Sequence, residues 1–254
     1  MDVRDEVGVA NESFVACYRT LAHHCVAGEL RDRPGVFAFT SGVPVSLFNG
    51  LIVTAPAEVD EVGAALDWLD ARAVSYRAWV VPELAAAAGD ALRAHGLELE
   101  AAAYPGMVLR PVPTPPAAPD GIEVVPVDAD DMEEFLGVGL DAGWPSGLGE
   151  AIYSPAFAGA ANVQLFCARL DGRAVGTSVA IQSEGASGVV AVGTLPQARR
   201  RGIGAALTWA AVAAGAERGH DTIVLQASPM GFPLYTAMGF RTVVSYASFA
   251  RPRG

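Results

Sequence analysis

TLPQARRRGIG, residues Thr194–Gly204, lies between an apolar run, Val189–Val192, and an alanine-rich helical pattern, Ala205–Arg218. This order predicts a strand that passes through a basic, glycine-bearing turn directly into the N-terminus of a helix. Such a turn presents free backbone amides, the positive end of the helix and guanidinium groups to one anion. We therefore expect this segment to bind a pyrophosphate.

The composition indicates a compact globular protein. Of the 254 residues, 52% are hydrophobic and 18% are charged, which allows one large core or two modest ones. The formal net charge of −11 argues against nucleic acid as a partner, because binding phosphate backbones needs a broad basic surface. The chain contains no lysine, which excludes a Schiff-base lysine and the lysine of a phosphate-binding loop.

Neither a membrane segment nor a metal site is predicted. The longest apolar runs, such as Ala78–Val81 and Ala210–Ala214, are too short to span a bilayer. The acidic start, Met1–Glu6, lacks the features of a signal peptide, so we expect a cytoplasmic protein. The widely spaced cysteines form neither a disulfide framework nor a metal pattern, and adjacent histidines cannot share one helix face. These residues are Cys17, Cys25, Cys167, His23 and His24.

A proline-rich segment divides the chain. Residues 111–119 contain five prolines, which favours an extended linker and forbids a helix or a central strand. We therefore predict a domain over residues 1–110, a linker over residues 111–119 and a second domain over residues 120–254.

Both halves show the same succession of strands and helices. In the second half, Asp128 is predicted to cap a helix that ends near Leu140, and Asp171-Gly172 is predicted to form a hairpin turn. The predicted strands there are Ile122–Val127, Val163–Leu170, Ala174–Gln182, Val189–Thr194, Thr222–Gln226 and Thr242–Phe249, and the further helices are Ala205–Arg218 and Gly231–Met238. The first half predicts strands at Leu51–Val53, Tyr76–Val81 and Met107–Leu109, and helices at Asp60–Arg72 and Glu83–His95.

The first half repeats the plan without the basic turn. At the corresponding position it has Thr54-Ala55-Pro56-Ala57-Glu58, which lacks glycine and carries an anion. This segment is therefore predicted not to hold phosphate.

Two motifs make the second half resemble the GNAT superfamily of acetyl-CoA-dependent N-acetyltransferases. The first is Val192-Gly193-Thr194-Leu195-Pro196-x-x-Arg199-x-x-Gly202-x-Gly204, similar to the family's pyrophosphate loop. The second, Ser228–Phe240, resembles the family's ending Asn-x-x-Ala-x-x-Leu-Tyr-x-x-x-Gly-Phe, with Ser228 and Gly231 in place of Asn and Ala. The resemblance covers residues 120–254. It implies an α/β (α+β) GNAT fold, a mixed and mostly antiparallel sheet flanked by helices, in tandem with a degenerate N-terminal copy.

The resemblance also implies how acetyl-CoA binds as cosubstrate. The glycines leave room for the pyrophosphate, whose partners are the amides and side chains of the turn and the start of the helix. The main chain before the turn is implied to bind the pantetheine and to polarise the thioester carbonyl. Ser228 either contacts the cosubstrate or caps a short helix. The other implied contacts are Val192, Gly193, Thr194, Arg199, Arg200, Arg201, Gly202, Ile203, Gly204 and Ala205.

Tyr235 is the predicted general acid, which protonates the departing thiolate, and the alternative is a tyrosine packed between helix and sheet. Many members of the family place the glutamate that acts as general base on the strand that corresponds to Val189–Thr194. In this chain that strand has no acidic residue. Glu184 is the nearest carboxylate in sequence and is therefore the candidate general base, and an ordinary solvated carboxylate is the alternative.

Four further residues are predicted near the acceptor. Asp141 and Glu150 lie where relatives often contact acceptors, although each is also a candidate for an ordinary solvated carboxylate. Trp144, together with Tyr153, either lines the acceptor pocket or belongs to the core.

The leading function is therefore acetyl transfer from acetyl-CoA to a primary amine by direct attack in a ternary complex. The acceptor is a small molecule or a peptide, and the acidic surface favours a cationic one. No cysteine lies in either motif, which disfavours a covalent acyl-enzyme. The alternative is a non-catalytic module that binds acyl-CoA and regulates a partner. The N-terminal half is expected to cover the acceptor cleft or to form a dimer interface, in a monomer or a homodimer.

Overall fold

The computed structural model describes residues 3–56 and 59–252. Its helices are α1 (Val3–His24), α2 (Val59–Asp70), α3 (Ala85–Ala94), α4 (Glu133–Asp141), α5 (Leu148–Ile152), α6 (Pro155–Ala158), α7 (Ile203–Glu217) and α8 (Phe232–Ala237). Its strands are β1 (Glu29–Arg33), β2 (Val36–Thr40), β3 (Asn49–Val53), β4 (Arg77–Val80), β5 (Glu98–Leu99), β6 (Tyr104–Leu109), β7 (Ile122–Val127), β8 (Val163–Leu170), β9 (Arg173–Ser183), β10 (Ala186–Thr194), β11 (Ile223–Gln226) and β12 (Arg241–Ala250).

All twelve strands form one continuous sheet. Its order is β1-β2-β3-β4-β12-β6-β11-β10-β9-β8-β7, and β5 pairs with β12. The pairs β3–β4 and β10–β11 are parallel, and the other pairings recorded in the described residues are antiparallel. The predicted fold class, a mixed and mostly antiparallel sheet flanked by helices, is confirmed.

The same plan occurs twice along the chain. The succession β3–α2–β4–α3 in the first half matches β10–α7–β11–α8 in the second, and each contains one parallel strand pair. Even the ends of α3 and α8 agree: the N–H of Leu97 donates to the carbonyl of Leu92, and the N–H of Phe240 donates to that of Tyr235. A glycine with positive φ precedes each of these donors, as in a Schellman motif. The predicted tandem arrangement is confirmed.

The two halves exchange strands. β6 comes from the first half but lies between β11 and β12 of the second. The end of β12 in turn pairs with β4 and β5 of the first half. The proline-rich residues 111–119, which contain no helix or strand, therefore connect two halves whose sheets interlock.

Helices cover both faces of the sheet. α2, α3, α7 and α8 pack on one face, where their apolar side chains meet alternate residues of the strands. α1 lies on the opposite face and packs against strands of both halves, together with the short helices α4, α5 and α6. None of the described helices combines the length and apolarity that a membrane span requires.

Several local predictions need correction. Asp128 does not cap α4, which begins only at Glu133 after Met132; instead, the carbonyl of Asp128 accepts the N–H of Asp131 in a turn. The segment predicted as one helix from Glu83 contains a 3-10 turn, Pro82–Leu84, before α3. The prediction for the loop 54–58 stays a prediction, because Ala57 and Glu58 lie outside the described residues.

Sequence reasoning missed α1 entirely. The signal was present, since the buried residues Ala10, Phe14, Cys17 and Leu21 follow the spacing of one helix face.

Candidate active site

The parallel strands β10 and β11 separate halfway along β10. They pair over Ser187–Val189 and Ile223–Leu225, after which β10 continues to Thr194 without pairing to β11. The predicted cosubstrate contacts Val192, Gly193 and Thr194 lie on this separated part. The gap leaves one edge of β10 without a neighbouring strand, so its backbone groups are available to a ligand.

A β-bulge marks the same point on the other edge of β10. Ala191 and Val192 lie opposite the single residue Ser178, because the pairing shifts between Val190 and Gly193. Ala191 has φ 54°, which a residue with a side chain rarely adopts. Bulges of this kind redirect backbone groups and often lie beside active sites. The strained backbone therefore lies at the edge of the gap.

The basic turn leads from the gap into α7. Arg200 and Gly202 both have positive φ, 65° and 86°, and Gly202 immediately precedes α7. The structure records no acceptor among the described residues for the backbone amides of residues 200–205. Successive free amides at a helix N-terminus form a concave site for an anion.

Glycine is required at two positions of this turn. A Cβ on Gly202 would lie 2.9 Å from Cγ of Pro119, and the positive φ disfavours any other residue there. A Cβ on Gly204 would lie 3.3 Å from Cδ2 of Leu234 in α8. Larger side chains would fill the space in front of the free amides, so the turn has the shape expected of a pyrophosphate cradle.

The three arginines of the turn are exposed to solvent. Arg199 is held in place, because its Nε donates to the carbonyl of Thr194 at 3.2 Å. Arg200 and Arg201 have no hydrogen bond or ion pair recorded among the described residues. All three can therefore supply positive charge to an anion bound at the turn.

Tyr235 lies in α8 and is 8% exposed. Burial raises the pKa of its phenol to about 12, and the neighbouring Tyr104 adds to the rise, so the hydroxyl stays protonated at neutral pH. No hydrogen-bond partner for this hydroxyl is recorded within residues 3–56 and 59–252. The ring also explains one departure from the family motif, since a Cβ on Gly231 would lie 2.7 Å from Cε2 of Tyr235.

Ser228 lies in the turn before α8, whose N-cap residue is Gly231 without a side-chain cap. The Oγ of Ser228 accepts the N–H of Gly231 at 3.2 Å, just before α8 begins. The contact between Ser228 and the cosubstrate stays a prediction.

A cavity of about 230 Å³ lies beside the gap, on the face of the sheet that α1 covers. The C-terminal half contributes the stretch Val189–Gly193 of β10 and Gln226 of β11 to its wall. The N-terminal half contributes Cys17, Tyr18, Leu21, Leu47, Phe48 and Tyr104. The N-terminal half therefore covers this part of the C-terminal sheet. That this cavity is the acceptor cleft stays a prediction.

The predicted acceptor residues fall into two groups. Trp144 lines the cavity, where its ring stacks on Tyr153 with 5.9 Å between the centroids. Asp141, the last residue of α4, and Glu150 in α5 are exposed and do not line the cavity. Glu184 is also exposed, in the turn between β9 and β10, at the opposite end of β10 from Thr194. The structure thus does not bring Glu184 to the cavity or to the turn.

Sequence reasoning missed two tyrosines of the cavity. Tyr18 comes from α1 and Tyr104 from the start of β6, which reaches this place only through the strand exchange. Burial raises the pKa values of both phenols and raises that of the Cys17 thiol to about 12. Within the described residues no group of three or more histidines, cysteines or acids lies close enough to bind a metal.

A larger and more open groove, about 410 Å³, lies over the N-terminal half and shares no residue with the cavity. Arg19 and Asp32 in its wall form an ion pair of 2.5 Å with each other, so these charges are already matched.

Comparison with known proteins agrees with this geometry. Residues 141–232 match the family model described as an acetyltransferase (GNAT) domain. No curated protein matches the chain. Among solved structures, the chain is similar to a GCN5-related N-acetyltransferase from Kribbella flavida, at 20% identity and a TM-score of 0.68, over 96% of each chain.

Two further structures are similar. One is a GCN5-related N-acetyltransferase from Sphaerobacter thermophilus, at 17% identity and a TM-score of 0.56, over 86% of this chain and 78% of that one. The other is a tandem GNAT protein from the clavulanic acid biosynthesis pathway, at 14% identity and a TM-score of 0.59, over 94% and 88% of the chains. Identities this low establish the fold alone. The chain therefore has the tandem GNAT fold, and residues 141–232 in its C-terminal half match a GNAT acetyltransferase domain.

Proposed function

We propose that this protein transfers the acetyl group of acetyl-CoA to a primary amine by direct attack in a ternary complex. The observation that carries the proposal is the row of backbone amides at residues 200–205, which have no acceptor in the described residues and lie at the N-terminus of α7. These amides and the side chain of Arg199 bind the diphosphate of CoA. The glycines at positions 202 and 204 keep the approach open.

The gap between β10 and β11 receives the pantetheine arm. The backbone of Val192, Gly193 and Thr194 lies along one edge of this gap and binds the arm, in the way that a neighbouring strand would. Next to it, the bulge at Ala191 turns a backbone group toward the thioester carbonyl and stabilises the negative charge that develops on its oxygen.

Tyr235 protonates the sulfur of the leaving thiolate. Its hydroxyl carries a proton at neutral pH, since the ordinary pKa of a phenol is about 10 and burial raises this one to about 12. In the described part of the chain no partner is recorded for that proton. Ser228 holds the turn in front of α8 and so positions Tyr235. Cys17 is an unsuitable nucleophile because burial keeps its thiol protonated, which supports direct attack over a covalent acyl-enzyme.

Two measurements test the function. Calorimetric titration of the purified protein with CoA should show binding, and thiol release from acetyl-CoA should depend on an added amine. Tyr235→Phe should retain CoA binding and lose most of the amine-dependent turnover. Absence of heat with CoA, or thiol release that ignores the amine, contradicts the proposal.

A further inference from the structure

We propose that the amine acceptor is aromatic and that it binds without a positive charge. This inference rests on the proposed function and on the cavity beside the gap between β10 and β11. It reverses the expectation of a cationic acceptor that the acidic composition suggested.

The wall of the cavity is apolar and rich in aromatic rings. Phe48, Trp144 and Phe157 line it together with the rings of three tyrosines, and aliphatic side chains fill the space between them. None of the described residues that line it is Asp, Glu, His or Arg. Aromatic walls favour a flat aromatic guest through edge and face contacts between rings.

The size of the cavity agrees with one small aromatic group. Its volume is about 230 Å³, whereas an apolar cavity of about 150 Å³ is sufficient for benzene. A single substituted ring or a small fused ring system therefore fits.

A cation would find no countercharge in this cavity. The titratable groups in its wall are the Cys17 thiol and the phenols of Tyr18, Tyr104 and Tyr153. Burial raises the pKa of each of them, so all four stay neutral at neutral pH. Transfer of an ammonium from water into a site without a countercharge is unfavourable, because the cation–π attraction of aromatic faces is smaller than the cost of desolvating a charge. An arylamine avoids this cost because it is uncharged at neutral pH.

The proton balance points to the same class of acceptor. When a neutral amine attacks, the N–C bond forms, the C–S bond breaks, and the nitrogen loses one proton while the sulfur gains one. Tyr235 gives its proton to sulfur and regains one from the nitrogen side, so no external base takes part. An ammonium would have to release one more proton, and the carboxylates Glu184, Glu150 and Asp141 all lie outside the cavity.

Matched acceptors test this inference. Aniline and benzylamine differ little in size, but at neutral pH only benzylamine is charged, and spermidine is charged and not aromatic. With the intact protein and acetyl-CoA, kcat/KM for aniline should stay constant between about pH 6 and pH 9. For benzylamine it should rise about tenfold per pH unit, because only the neutral form reacts. Spermidine should be the poorest acceptor.

A pair of leucine variants tests the role of charge in the wall. Leu47 lies on the rim of the cavity and is 38% exposed, and Leu30 in β1 is 39% exposed and does not line the cavity. Leu47→Asp should lower the dissociation constant of benzylamine at pH 7 about tenfold relative to that of aniline, since a nearby carboxylate stabilises the bound ammonium. Leu30→Asp carries the same change in charge and should leave this ratio unchanged.

Each outcome decides the matter. Preference for spermidine, or a pH-independent kcat/KM for benzylamine, overturns the inference while the acetyl transfer still stands. A requirement for an aromatic acyl-CoA in place of acetyl-CoA also overturns the inference, because the ring in the cavity then belongs to the acyl group. CoA binding still stands in that case, but the transferred group is not acetyl. Failure of the proposed function looks different, since thiol release is then absent with every amine and CoA gives no heat.

Discussion

The two copies of the strand–helix plan differ in how their central parallel strands meet. In the first half, β3 and β4 pair over Gly50–Val53 and Arg77–Val80, and the N–H of Val81 extends the contact by donating to the carbonyl of Val53. In the second half, β10 and β11 pair over only three residues before they separate. The first copy has satisfied these backbone hydrogen bonds within itself, so it has no gap for a ligand.

The neighbouring strand pair and the second helix of each copy also differ between the two halves. β2 and β3 pair without interruption, whereas β9 and β10 contain the bulge at Ala191. The helices α3 and α8 occupy the same place in the two copies. Near its end α3 has the fully buried Leu92, and at the corresponding position α8 has Tyr235. A binding site on this plan thus arises where hydrogen bonds are left unmade and a polar group replaces a core residue.

The closed copy still contributes to the site of the open one. Its helix α1 and strand β6 bring Tyr18 and Tyr104 into the cavity wall. In the described residues, the first half thus covers the cavity beside the gap of the second.

The largest effect is expected from substitutions in the basic turn of the second copy. Gly202→Val together with Gly204→Val should weaken CoA binding about 1,000-fold, because hydrogen bonds to a charged group contribute about 1.5–3 kcal/mol each and two or more are lost. Calorimetry measures the dissociation constant.

Gly96→Val in the first copy is the matched control. Gly96 has φ 76°, close to that of Gly202, but it lies beyond α3 and no atom lies within 4 Å of its Cβ position. This variant should lose about 1–3 kcal/mol of stability through backbone strain. Its affinity for CoA should equal that of the unmodified protein, and equal weakening in both variants would contradict the assignment of the turn.

The next effect concerns the residue that distinguishes the two helix ends. Tyr235→Phe should lower kcat about 100-fold, as expected for loss of a general acid, and should leave CoA affinity intact. Its stability should change little, because the hydroxyl has no partner recorded in the described part of the chain. Steady-state kinetics with acetyl-CoA and an accepted amine measure the effect.

Tyr246→Phe separates loss of the acid from loss of any buried phenol. The Tyr246 hydroxyl donates to Oδ1 of Asn11 at 2.7 Å, so this variant should lose about 1 kcal/mol of unfolding free energy. Its kcat should not change. If both variants reduce kcat equally, Tyr235 acts through packing and another group protonates the thiolate.

A smaller effect is expected from the exposed arginines of the turn. Replacing Arg199, Arg200 and Arg201 by Gln should raise the dissociation constant of CoA about tenfold at low salt, because exposed charges contribute up to about 1 kcal/mol each. Added salt should shrink the difference. Arg93→Gln in α3 removes an exposed arginine of the first half and should change neither affinity nor its salt dependence. A difference that salt leaves unchanged would assign these side chains a packing role.

The last prediction concerns the stability of the fold, which the tyrosines make dependent on pH only under alkaline conditions. Burial raises the pKa of all six tyrosines, three in each half. In the unfolded chain the tyrosine phenols have a pKa of about 10. The folded state therefore holds more protons above that pH, and stability is constant below it and falls as the pH rises further.

Because β6 and β12 link the halves, we expect one transition. The phenolate absorbance and the loss of circular dichroism should appear together. Phenolate signal from a still folded protein near pH 10, or two separate unfolding steps, would show that the halves are less coupled than the strand exchange implies.

The local sequence pattern was sufficient to predict most strands and helices of the second half. The strands Ile122–Val127 and Val163–Leu170 agree with the structure to the residue, and the hairpin turns at Asp171-Gly172 as predicted. These features depend on alternation of apolar residues and on turn chemistry, which neighbouring residues encode. Glu184 shows the limit of the same reasoning, because closeness in sequence to β10 places it in an exposed turn, at the end of that strand away from the cradle.

The sequence by itself determined the tandem plan, the family motifs and the glycine-bearing turn before α7, because backbone preferences and spacing along one segment specify each of them. Only the tertiary structure decided that β6 and β12 exchange between the halves and that α1 closes the cavity with Tyr18. These contacts join residues far apart in the chain, and their free energy comes from burial of surfaces that no local pattern reveals. The character of the cavity, apolar and without charge, therefore follows from packing, even though the composition of the whole chain is acidic.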